Sequence, residues 1–160
     1  MARGRATTLR VCASLRPESQ PHIQLGTAKL PATVNQPAFV EYLYQWAATV
    51  TQSGANYPFV MPMKVDKYDT GFKVALLKQT AAGNFDAAAE IQGTLEEVPG
   101  KGTVVFFRFF EGPAASAMRS SPPPADPKQR LSAVIDALPD VDTLMGSMPE
   151  VMRKGVQYCQ

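Results

Sequence analysis

The chain has 160 residues, 45% of them hydrophobic, and a formal net charge of +2 at pH 7. That length suits one domain with tails, and that apolar fraction supports a packed core and excludes global disorder. The charge is too small to point to a polyanionic partner by itself, and no apolar run approaches the ~18 residues of a membrane-spanning helix.

Residues Met1 to Gln20 do not read as a folded segment. Arg3, Arg5, Arg10 and Arg16 occur there with no lysine and a single acid, Glu18, among alanines and the hydroxyls of Thr7, Thr8, Ser14 and Ser19. Such Arg-rich, hydroxyl-rich, acid-poor composition is that of an organelle transit peptide, and the apolar stretch of a secretory signal is missing. Val11-Cys12-Ala13 before Ser14 resembles the Val-x-Ala cleavage site of green-algal chloroplast transit peptides. A disordered basic tail is the competing reading.

His22 to Leu30 alternates Ile23, Leu25 and Thr27 with polar or small residues and predicts a first strand ended by Pro31. Asn35 is a good N-cap and Pro37 suits a first helical turn. Phe39, Leu43, Trp46 and Val50 then form one apolar stripe, widened by Val40 and Ala47, and Ser53-Gly54 closes the helix. The single tryptophan on that stripe reads as core. After the loop Asn56-Tyr57-Pro58, Phe59, Met61, Met63 and Val65 alternate along a strand. Pro62 cannot donate to a ladder, so this strand lies at an edge or carries a bulge.

Asp69-Thr70-Gly71 turns the chain into a second strand with Phe72, Val74 and Leu76 on one face. Ala81 to Asp86 reads as a turn. Ala89, Ile91, Gly93 and Leu95 alternate with Glu90, Gln92, Thr94 and Glu96, the pattern of a half-buried strand. Pro99 to Gly102 is a hairpin turn, and Thr103 to Phe110 is apolar on both parities except at Arg108, as in a covered central strand. Residues 113–125 shift to Ala, Ser and Pro and read as a linker.

Asp126-Pro-Lys-Gln129 is a capping box, followed by Leu131, Val134, Ile135 and Leu138 on one helical face and by Pro139 as a stop. Asp140 to Met145 suggests a short helical turn. Ser147-Met-Pro-Glu150 is a second capping signature before a helix bearing Met148, Val151, Met152 and Val156. A methionine stripe fills cores but also suits adaptable partner surfaces.

The expected fold is α+β: a mainly antiparallel five-stranded sheet, one helix inserted after the first strand, and C-terminal helices packed on the sheet. The expected organisation is a transit peptide or tail over 1–20, an α+β core over 21–112, a linker over 113–125 and a helical segment over 126–160.

Chemistry is sparse. The one histidine, His22, has no nameable second partner for a triad or a metal site, and no phosphate loop, dinucleotide fingerprint or nucleophile elbow occurs. No catalytic residue, metal site or cofactor is assigned. Glu90, Glu96 and Glu97 are placed for cross-strand pairing with Arg108 or Lys101 on a wet face. Lys101 to Phe110 has the look of an RNA-recognition signature, but Thr103 and Val105 stand where aromatics are required, so no nucleic acid is expected. Cys12 and Cys159 read as free thiols in a reducing compartment. A redox-responsive Cys159, favoured as thiolate by Arg153 and Lys154, is the alternative.

The hairpin face with Lys64, Asp66, Lys67, Lys73 and Lys78 is locally basic. It is either a solvated edge protected by lysines or a docking surface for an acidic partner or a membrane surface. Phe39, Leu43, Trp46, Met61, Met63 and Phe107 are the candidates to line a cavity between helix and sheet.

Leu25-Gly-Thr-Ala-Lys-Leu-Pro31, Phe39 with Tyr44-Gln-Trp46-Ala47, and Pro58-Phe with Pro62-Met-Lys-Val-Asp-Lys67 resemble an uncharacterised family of small plastid proteins of plants and green algae, over about residues 22 to 112. The resemblance implies a chloroplast location, stromal or peripheral to the thylakoid, and carries no activity or functional residue with it. Three functional expectations follow. The leading one is a non-enzymatic binding or auxiliary protein that holds a protein partner through its sheet edge or Met-rich terminal helix, in assembly or maintenance of photosynthetic complexes. The others are a small-ligand or lipid binder and an enzyme using convergent acids and lysines.

Overall fold

The computed structural model describes residues 15, 20–53, 62–115 and 126–160. In chain order the described elements are β1 (Ile23–Lys29), α1 (Gln36–Ser53), β2 (Met63–Tyr68), β3 (Gly71–Gln79), β4 (Phe85–Val98), β5 (Gly102–Glu111), α2 (Pro127–Asp136), α3 (Pro139–Gly146) and α4 (Met148–Tyr158). The strands form one antiparallel sheet in the order β1-β5-β4-β3-β2. The α+β expectation holds: a five-stranded sheet, a helix after the first strand and C-terminal helices packed on the sheet.

Local chemistry explains the element boundaries. The Asn35 side chain accepts from the Ala38 N–H at 3.0 Å and so caps α1. Asp126 accepts from the Lys128 N–H at 3.1 Å and caps α2. The β2–β3 turn falls at Asp69 and Thr70, and Gly71 opens β3. A Cβ on Gly71 would stand 2.0 Å from the Gly93 carbonyl oxygen, so only glycine lets β3 and β4 approach there. Pro62 immediately precedes β2, which is an edge strand, as a residue without a backbone donor requires.

One face of the sheet packs against the helices and forms the main core. Val65, Phe72, Val74, Leu76, Ala89, Ile91, Leu95, Val105, Phe107 and Phe109 join Phe39, Val40, Leu43, Ala47 and Val50 of α1 in a single core. Leu131, Val134, Val141, Leu144, Met148, Val151 and Met152 bring α2, α3 and α4 into that same core. All described helices therefore gather on one side. The α1–α4 contact is close because Gly155 has no side chain: a Cβ there would lie 2.8 Å from a Phe39 ring carbon.

Four expectations are corrected. Strand β4 begins at Phe85, inside the stretch read as a turn, because Lys78 and Gln79 pair with Asp86 and Phe85. Ser147 makes no capping bond to α4; its backbone is helical, and its hydroxyl donates to the Leu144 carbonyl at 2.8 Å, so it belongs to the end of α3. The polar side of β4 is not wet, since Glu90, Gln92 and Thr94 are buried. Cys159 is buried, against the redox-responsive alternative, which needs an accessible thiolate. The expectations for Cys12, the transit peptide cleavage site, the Asn56-Tyr57-Pro58 loop, the strand positions Phe59 and Met61, and residues 116–125 of the 113–125 linker lie outside the described residues.

Candidate functional site

An apolar groove lies at the margin between β1 and the C-terminal helices. Among the described residues strand β1 pairs only with β5, from Ile23 opposite Phe109 to Lys29 opposite Val104, with a register shift between Gln24 and Gly26. Beyond the strand, the Leu30 N–H donates to the Thr103 carbonyl at 2.9 Å. Antiparallel ladders alternate, so Ala28 and Gly26 also turn their backbone groups toward β5. Thr27 and Lys29 then turn theirs outward, away from the sheet.

Beside that edge lies an apolar groove of about 410 Å³. Its floor is Leu25, Gly26, Thr27 and Ala28 of β1 with Phe107 of β5, and its wall is Met145 of α3 with Met148, Pro149 and Met152 of α4. No charged residue lines it. The floor is open because of one residue: a Cβ placed on Gly26 would meet nothing within 4 Å. Pro149 in the first turn of α4 donates no N–H, and the methionines at i, i+3 and i+7 point one flexible stripe at the strand.

The opposite sheet face carries a different feature. Asp66, Lys73, Gln92, Arg108 and Gln24 stand in register across all five strands as one polar row. Lys73 and Arg108 are each 2% exposed, and Gln92 is 1% exposed. The Lys73 ammonium lies 3.7 Å from the Glu90 carboxylate and 5.8 Å from the Tyr68 ring centre. The Arg108 guanidinium stacks 4.5 Å from the Phe106 ring centre and donates to Glu96 at 2.5 Å. The Arg108 hydrogen bond holds the Glu96 carboxyl below its ordinary range, against the opposing effect of partial burial. The His22 ring lies 5.4 Å from that of Phe110, tilted by 42° to it.

The five hairpin residues do not share one surface. Lys64, Asp66 and Lys73 lie on the far face, where Lys64 is 3.7 Å from Asp66 and Lys73 is buried. Lys67 is opposite Phe72 and so lies on the helix side, where it donates to Glu41 of α1. That bond lowers the Glu41 pKa and raises that of Lys67. Lys78 is exposed, opposite Asp86.

Of the cavity candidates, Phe39 and Leu43 are fully buried in the core, and Trp46 and Met63 pack partly buried against it. Among the described members of that set only Phe107 reaches the groove. Leu25, Gly26 and Ala28 were not among the residues proposed from sequence to line a site. A glycine inside a strand pattern was the available signal. Among the described residues no three His, Cys, Asp or Glu side chains gather as a metal site, and no helix is long and apolar enough to cross a membrane.

Residues 19–138 match the family model described as a domain of unknown function (DUF7148), and the chain belongs to that family. No curated protein and no solved structure matches.

Proposed function

We propose that this member of the DUF7148 family is a non-enzymatic binding or auxiliary protein of the chloroplast, stromal or peripheral to the thylakoid. It holds a protein partner during assembly or maintenance of photosynthetic complexes. The observation that supports binding is the neutral groove between the open edge of β1 and the methionine wall of α3 and α4. Adaptable thioethers beside exposed main chain suit recognition of another protein. The support for the compartment is the Arg-rich, acid-poor composition of residues 1–20.

A tagged mature form incubated with plastid extract should recover a partner at a fixed ratio. Recovery should be lost when Gly26→Phe fills the groove. Recovery of background proteins alone would refute the reading, as would exclusion of a fluorescent fusion from plastids for the compartment.

A second reading has one observation in its favour. The groove volume of about 410 Å³ falls in the range of small-ligand sites. A neutral apolar molecule would then occupy it in place of a protein.

A further inference from the structure

We infer that the groove receives one extended segment of the partner, added as a sixth strand on the edge of β1 that no described strand pairs. This rests on the protein-binding reading above and specifies what the partner presents.

The main chain supplies the first argument. Thr27 and Lys29 direct their N–H and C=O groups away from the sheet, as the Leu30–Thr103 bond fixes by alternation. A row of such groups is a template for another strand. A purely apolar small molecule would leave them to water, whereas an extended peptide satisfies them.

The side chains supply the second. In a strand laid beside β1, residues opposite Gly26 and Ala28 share their face and point into the groove. Gly26 leaves open space there, so an incoming side chain passes over it toward Phe107 and meets Met148 and Met152. The lining carries no charge, so the entering side chains are apolar. Lys29 is exposed on the opposite face, where a cross-strand acid would pair with it. The recognised segment therefore alternates apolar residues with polar ones, and bears an acid opposite Lys29.

The test uses a fluorescein-labelled heptapeptide that alternates leucine with threonine and glutamate. Its companions are the same peptide N-methylated at the residues that would face β1, and a scrambled peptide of equal composition. Anisotropy titration of the full chain should show binding of the first and at least about tenfold weaker binding of the other two. Gly26→Phe and Met152→Gln should each weaken binding about tenfold with the circular dichroism spectrum unchanged. Gly26 has no left-handed backbone angle and a Cβ there meets nothing within 4 Å, so the backbone accepts a side chain, and the circular dichroism spectrum checks that the variant is folded. Amide exchange at Thr27 and Lys29 should slow on addition of the peptide.

Equal affinity for the N-methylated peptide would overturn the inference, because capture would then be apolar without a strand. Failure of the unmodified peptide to bind at millimolar concentration would also overturn it. So would a dimer in solution with Thr27 and Lys29 already protected, since a second copy would hold the edge. If a partner is recovered from extract equally well by Gly26→Phe, strand addition fails while the binding reading stands. If no partner is recovered at all, the binding reading itself fails.

Discussion

Arg108 shows how far a single residue can depart from its sequence context. It interrupts an aromatic strand and is 2% exposed, yet it carries a full charge. The stack on Phe106 and the bond to Glu96 hold it there. Removing one partner of a buried charge set leaves the others uncompensated, so Arg108→Ala should destabilise the protein by about 3 kcal/mol in urea denaturation. The pH dependence follows from Glu96, whose pKa is depressed in the folded state. Above the ordinary carboxylate range both states are ionised and its full contribution is present. As pH falls below about 4.3 the unfolded chain takes up the proton first, so that contribution is lost toward the folded pKa. Arg108→Met should flatten this part of the acid limb in a stability titration. Cys159 is the opposite case. Burial raises its thiol pKa, while Arg153 and Lys154 are both engaged by Glu150. The native thiol should react with a disulfide reagent at neutral pH at least about tenfold more slowly than in the unfolded chain.

At the scale of elements, periodicity carried most of the fold. The stripe of Phe39, Leu43, Trp46 and Val50 has the helical repeat, and the Asp69-Thr70-Gly71 turn separates two alternating runs, so α1 and the β2–β3 hairpin were legible. Alternation assigns a residue to a face but does not say whether that face is wet. Lys73 is buried because its register places it beside Gln92, with Arg108 one strand further, and those pairings are set by strands distant in sequence. The groove was illegible for the same reason. It needs β1 to return beside β5 and α4 to come alongside, and neither event is written in a local pattern. Ser147 misled because its residue type suits a cap while its backbone is helical. The seat of α4 depends on Gly155, whose Cβ would press on Phe39 and Tyr42. Gly155→Val should therefore cost about 1–3 kcal/mol by thermal or urea denaturation and weaken partner binding by displacing the methionine wall.

Across the whole molecule, the two sheet faces divide the work. One face takes every described helix and forms the core. The other carries a polar row across the five strands, buried at its three central members Lys73, Gln92 and Arg108. The groove sits where the core face runs out at β1, and its parts come from opposite ends of the chain. Its floor lies within the family match and its wall, in α3 and α4, lies beyond residue 138. The hairpin lysines are split between the two faces, whereas the β1 margin presents a continuous apolar lining. The measurement that separates these surfaces is amide hydrogen exchange on the protein with and without its recovered partner. Binding at the groove predicts new protection at Thr27 and Lys29, and along the Met145–Met152 margin, with the β2–β3 hairpin unchanged. Protection confined to the hairpin around Lys64 and Lys78, with β1 exchanging as in the free protein, would contradict it.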